Sequence, residues 1–186
     1  MRTWIRAFLF ATAVAAGAAS LVAPAPAQAA SASEIDRKST EALQLLFDTE
    51  PGTRELAAKA RAILIFPSIV KAGFMFGGQY GEGALREGGR TVGYYNTVAA
   101  SYGLQVGGQT FSYVMMLMNS EALNYLKSSK GWEVGVGPTV VVVEAGAAKT
   151  LTTTTAKDDV YAFIFGQKGL MAGLGLQGSK ITKIHR

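Results

Sequence analysis

The chain has 186 residues, a formal net charge of +5, one histidine and no cysteine. Disulfides, thiol catalysis and a cysteine-linked lipid anchor are therefore excluded. With only the penultimate His185 as an imidazole, neither a nucleophilic triad nor a zinc or copper ligand set can be assembled, so no metal and no cofactor is expected. The charge bias is mild and does not suit a nucleic-acid partner.

Residues 1–29 read as a secretory signal. Arg2 and Arg6 give the positive start, residues 7–22 the apolar middle, and Ala27-Gln28-Ala29 a small-x-small cleavage site. Residues 30–186 then make one domain, in a periplasmic or extracellular setting.

Residues 33–48 follow a helical pattern, with Ser33 as N-cap and Asp36 in the reciprocal position of a capping box. Ile35, Ala42, Leu43 and Leu46 share one face, and Arg37 can pair with Glu41 one turn away. Pro51-Gly52 breaks the chain. Thr53 is placed to cap a short helix to about residue 61, and residues 63–66 read as a buried strand ended by Pro67. Arg54, Lys59, Arg61 and Lys71 against Glu55 make the most basic local segment before the C-terminus.

Residues 71–85 combine strand alternation with glycine at every second or third position. One face carries Gly77, Gln79, Gly81 and Gly83; the other carries Phe74, Phe76, Gly78 and Tyr80. So much glycine in one strand implies tight curvature, a bulge, or close approach of another backbone or a ligand. A phosphate-cradling loop is the rival reading, but no Gly-Lys-Ser/Thr ending follows. Gly88-Gly89 suits a tight hairpin, returning through residues 91–95. Over residues 98–106, Val98, Ala100, Tyr102, Leu104 and Val106 alternate with small or polar residues and read as the core side.

Residues 110–118 give a further apolar strand, in which Met115, Met116 and Met118 read as adaptable core filler. A short helix starts at Asn119 or Ser120 and buries Ala122, Leu123 and Leu126, with Gly131 placed to end it. Strands follow over residues 132–136, 139–144 and 149–155, then a hairpin of 160–165 with 170–177. Gly173-x-Gly175-x-x-Gly178 matches the dinucleotide fingerprint by letters only, since too little chain follows for a βαβ unit. Lys168, Lys180, Lys183 and Arg186 form a second basic group, read as solvated.

Paired carboxylates are the remaining route to enzymatic chemistry, from a pool of Glu82, Glu87, Glu133, Glu144, Asp158 and Asp159. Glu82, on the glycine strand, reads as a surface or ion-paired residue. A binding module is expected rather than an enzyme.

The segments Ile65-Phe66-Pro67, Lys71-Ala72-Gly73, Gly77-Gly78-Gln79-Tyr80-Gly81-Glu82-Gly83, Gly103-Leu104-Gln105-Val106-Gly107 and Gly131-Trp132-Glu133-Val134-Gly135, in that order, resemble the SYLF lipid-binding domain, also known as the Ysc-type actin-binding domain. The resemblance implies a non-enzymatic domain that binds phosphoinositides or other anionic lipid through a basic N-terminal region. Arg37, Lys38, Lys59, Arg61 and Lys71 are the residues here that match such a role. Actin, the partner of fungal and animal relatives, is not carried over to an exported protein.

The expected fold is α+β: a strongly curved, mainly antiparallel, glycine-rich sheet or small barrel with two N-terminal helices and one inserted helix. The expected function is anionic-lipid binding through Arg54, Lys59, Arg61 and Lys71, with Arg37 and Lys38 beside them. A carrier of an apolar ligand in a glycine-lined cavity is the alternative. A small outer-membrane barrel fits less well, because two helices precede the strands.

Overall fold

The computed structural model describes residues 29–74, 76–102, 107–143, 157–169 and 178–186. The chain is α+β. Helices α1 (Ala32–Thr49) and α2 (Thr53–Lys59) lead into β1 (Ala62–Phe74), β2 (Phe76–Glu87), β3 (Arg90–Tyr102) and β4 (Gly107–Leu117). After α3 (Ser120–Ser128) come β5 (Trp132–Glu133), β6 (Val140–Val143), β7 (Val160–Gly169) and β8 (Lys180–Ile184). The strands form one eight-stranded sheet in the order β5-β8-β3-β2-β1-β4-β7-β6, curled into a half-barrel. Among the described strands only β6 and β7 pair in parallel.

Curling gives the sheet two packed faces. On the inner face Leu64, Phe66, Leu85, Tyr95, Tyr113, Met115, Trp132 and Ile181 gather around Ala122, Leu123 and Leu126 of α3. On the outer face Ile65, Val114, Met116, Tyr161 and Phe163 pack against Ala42 and Leu46 of α1 and Leu56 of α2. Met115 and Met116 are adjacent in sequence and fully buried on opposite faces, so one strand supplies both cores. Emptying the Leu46 position in such a core costs about 2–5 kcal/mol.

The glycine stretch is two strands rather than one. Residues 71–74 end β1, and Phe76 begins β2, which runs antiparallel to β1 with Gly73 opposite Gly77. The face carrying Gln79, Gly81 and Gly83 is buried, and Gly78 and Tyr80 on the other face are exposed. A Cβ on Gly81 would stand 2.7 Å from Ile69 Cγ1 and 2.9 Å from the Ser68 carbonyl oxygen; one on Gly83 would meet the Ile65 carbonyl and the Phe66 ring. The bare positions therefore admit the backbone of β1, as the alternation implied.

Pro67 does not end β1. It sits in a bulge, where the register against β2 shifts between Ile65 and Ser68 and that against β4 between Phe66 and Ile69. Proline has no N–H to leave unpaired in a ladder, and its carbonyl accepts the Ser112 hydroxyl at 2.9 Å. The inner-face residues before the bulge are Leu64 and Phe66, and those after it are Ile69 and Lys71.

Several boundaries differ from the sequence reading. The N-cap of α1 is Ser31, whose hydroxyl accepts from the Glu34 N–H at 3.2 Å, so the capping pair lies two residues earlier than expected. Asp36 instead takes the Thr91 hydroxyl at 2.8 Å and the Tyr94 hydroxyl at 2.9 Å, pinning α1 to β3. Gly52, at φ 96°, precedes α2, and Thr53 is its buried first residue, donating to the Glu50 carbonyl at 2.6 Å. β3 is one continuous strand, and its Val98 and Ala100 are exposed rather than core. No strand was expected at the C-terminus, yet β8 pairs with β3 from Val98 to Tyr94, with Lys180 and Lys183 exposed as the basic group was read.

The Gly88-Gly89 turn has φ of 55° and 80°, as a tight hairpin requires. Asn119 caps α3 by accepting from the Ala122 N–H at 2.8 Å. The expected strands at 149–155 and 170–177, the signal segment up to residue 28, and Gly173 and Gly175 of the fingerprint lie outside the described residues.

Candidate lipid-binding face

The basic residues singled out by sequence divide between the two sides of the sheet. Arg54, Lys59 and Arg61 are exposed on α2 and its exit, in the outer layer. Lys71 is only 6% exposed and lies on the inner face, directly opposite Gln79 of β2 and Gln109 of β4. It does not join the others.

Arg37 and Lys38 on α1 are each matched by an acid one turn away. Arg37 pairs with Glu41 at 2.6 Å and Lys38 with Glu34 at 2.7 Å. The hydrogen bond from Lys38 holds the Glu34 carboxyl below its ordinary range, with the charge of Lys38 adding to it. These pairs leave α1 without a net basic stripe. On α2 the balance differs, because Arg54, Lys59 and Arg61 face one acid, Glu55, within the same stretch. Arg54 packs its guanidinium 4.6 Å from the Phe47 ring centre and reaches Asp48 at 3.8 Å, an exposed contact that contributes little.

Arg61 also borders a cleft of about 300 Å³ between α2 and the β2–β3 turn, lined by Ala57, Ile63, Arg86, Gly88 and Gly89 among others. Arg86 was not assigned a role by sequence. Its register position opposite Ile63 brings it to this cleft, and it is held by two hydrogen bonds to α1, to the Asp36 carbonyl at 2.9 Å and the Thr40 hydroxyl at 2.7 Å. Nε of Arg86 is buried with no hydrogen-bond partner among the described residues. Two guanidiniums beside an apolar wall and an exposed glycine turn suit an anion attached to an apolar body.

Glu82 stands on the outer face, where Oε1 accepts from Tyr80 at 2.6 Å and pairs with Arg186. It is an ion-paired glutamate, as its position on the strand suggested. On the glycine face of β2 a Cβ at Gly81 or Gly83 would meet β1, while the backbone of Gly81 also borders a cleft of about 480 Å³ with Val70 and Tyr80. Among the described residues no three histidine, cysteine or carboxylate groups come together.

Beyond this geometry, residues 98–185, from β3 through β8, match the family model of the Las17-binding protein actin regulator, Ysc84. The match covers a little under half of the chain and is consistent with a SYLF-type domain. Among curated proteins nothing matches the chain. The matched span takes in the end of β3, then β4, α3 and β5 to β8; α1, α2, β1, β2 and most of β3, with Arg54, Lys59, Arg61 and Arg86, lie outside it.

Proposed function

We propose that this SYLF domain binds anionic lipid head groups at a membrane surface, without catalysis, as an exported protein on the periplasmic or extracellular side. The observation that carries the reading is the Arg61–Arg86 cleft, flanked by the exposed Arg54 and Lys59 on α2. Cations gathered on one short helix raise the local concentration of acidic head groups, and a cleft with guanidinium walls gives one of them a seat. The match of residues 98–185 to a family model named for an actin regulator supports a contact function over turnover, and actin itself is not part of the proposal.

Sedimentation with vesicles of phosphatidylglycerol and phosphatidylcholine at low salt tests it. Replacing Arg54, Lys59 and Arg61 together by alanine is expected to weaken binding more than tenfold, since each cation near an anionic surface contributes about 1 kcal/mol. Raising the salt is expected to weaken the unaltered protein in the same direction. Equal sedimentation of the triple variant and the unaltered protein at low salt would overturn the proposal.

A further inference from the structure

On the outer face, at the end of the sheet that α1 leaves open, three large side chains stand in one cross-strand row. Val70 of β1 is opposite Tyr80 of β2, and Tyr80 is opposite Val98 of β3. They are 53%, 48% and 46% exposed. Neighbouring strands are about 4.8 Å apart, so the three make one continuous apolar band about 10 Å long.

The ends of the row are basic. Register carries it from Val70 through Thr110 of β4 to Lys168 of β7, and from Val98 to Lys180 of β8, with Glu133 of β5 one strand further out. Both lysines are exposed. The valines and the tyrosine form the apolar crest of this exposed row, and the lysines are its shoulders. The next row along is small and exposed, with Ala72, Gly78, Ala100 and Gly108. Toward α1 the crest opens into a cleft of about 480 Å³ lined by Ile35, Pro67, Val70 and Tyr80, with Lys38 and the Arg186–Glu82 pair also on its wall.

An apolar crest with cationic shoulders fits the interface of an anionic bilayer, where short apolar side chains and a tyrosine enter the head-group layer and lysines extend to phosphates. A second copy of the chain fits poorly. Laying two such crests together with twofold symmetry sets lysine against lysine at both ends of the row.

We propose that the Val70–Tyr80–Val98 crest is a bilayer-insertion surface, with Lys168 and Lys180 as its phosphate contacts. This rests on the lipid-binding reading but not on the α2 cations. Ile63, at the Arg61 cleft, lies seven positions before Val70 on β1, roughly 23 Å away along the strand, so the two surfaces can be disabled separately.

The chain has no cysteine, so Val98→Cys places a single environment-sensitive fluorophore on the crest, and Arg54→Cys places one on α2. With vesicles of phosphatidylglycerol and phosphatidylcholine, the label at position 98 is expected to shift to the blue and to be quenched by nitroxide-bearing lipid. Val70→Glu with Val98→Glu, and separately Lys168→Glu with Lys180→Glu, are expected to lower vesicle affinity about tenfold or more without changing the thermal transition, since all four side chains are exposed. If the protein sediments with vesicles while the label at 98 stays in water and both double variants bind normally, the crest is overturned and the α2 reading stands. Failure of the unaltered protein to sediment overturns both. A label shielded without vesicles, in a particle of twice the expected mass, shows a second copy on the crest and overturns its assignment to the bilayer.

Discussion

Gly83 of β2 lies where any side chain would run into the Ile65 carbonyl and, at 2.7 Å, the Phe66 ring of β1. The bulge at Pro67 pushes β1 toward its neighbour at this level, and only a residue without a Cβ lets the two strands stay paired. Gly83→Ala is therefore expected to destabilise by about 1–3 kcal/mol, since backbone has to move. Gly81→Ala, facing the Ser68 carbonyl at 2.9 Å, is expected to behave alike. Gly78→Ala is the control. Its nearest neighbour would be 3.7 Å away, so a change within about 0.5 kcal/mol is expected from urea unfolding of the three variants.

Asp159 ties three elements at the start of β7. Oδ2 accepts the Thr139 N–H and hydroxyl, both at 2.8 Å, and Oδ1 accepts Asn119 Nδ2 at 2.6 Å, next to the cap of α3. The Thr139 backbone N–H is the main reason its carboxyl is held below the ordinary 3.8, with Asn119 and the Thr139 hydroxyl adding to it. A carboxyl that is more acidic folded than unfolded contributes stability above its unfolded pKa. That contribution is lost as the pH falls from about 4 through the folded value. Asp159→Ala is expected to cost about 1–2 kcal/mol at pH 7, discounted for partial exposure, and to flatten the acid side of the stability profile. Unfolding midpoints at pH 7 and pH 3 measure both.

Local chemistry made much of the fold readable. Asn119 with Ala122 and Leu126 specified α3, Gly88-Gly89 specified the hairpin, and alternation with glycine specified a strand against which another backbone closes. Alternation shows which residues share a face but not which face is covered. Val98 and Ala100 were therefore given to the core, although α1 stops short of them and leaves them in water. The proline bulge had a larger effect. Odd-numbered residues of β1 point outward before it, as Ile65 does, and inward after it, as Ile69 and Lys71 do. A single inserted residue thus moved Lys71 from the basic outer layer to the interior. Arg86 was missed for a related reason, since only the strand pairing with Ile63 brings it beside Arg61.

Tyr113 is fully buried on the inner face, stacked on Phe66 at 5.8 Å, and its hydroxyl has no hydrogen-bond partner among the described residues. Burial alone pushes that hydroxyl far above its ordinary pKa. Removing an unsatisfied buried hydroxyl while keeping the ring loses no bond and relieves a desolvation penalty. Tyr113→Phe is accordingly expected to leave stability unchanged or raise it by up to about 1 kcal/mol. A loss of more than 1 kcal/mol in thermal or urea unfolding would show that the hydroxyl has a partner.

Lys71 tests the division of the basic residues between the two faces of the sheet. It sits on the inner face between Gln79, which donates to Ser179 at 2.9 Å, and Gln109. Lys71→Met keeps most of the length and removes the charge, so a folded variant retains every outer cation. It is expected to sediment with anionic vesicles as the unaltered protein does, while the Arg54, Lys59 and Arg61 triple variant does not. Lys71→Glu reverses the charge at a buried position flanked by two neutral glutamines and is expected to lower stability by several kcal/mol. If Lys71→Met instead stays fully folded by circular dichroism and loses vesicle binding, lipid must reach the inner face, and the division between the two sides of the sheet does not hold.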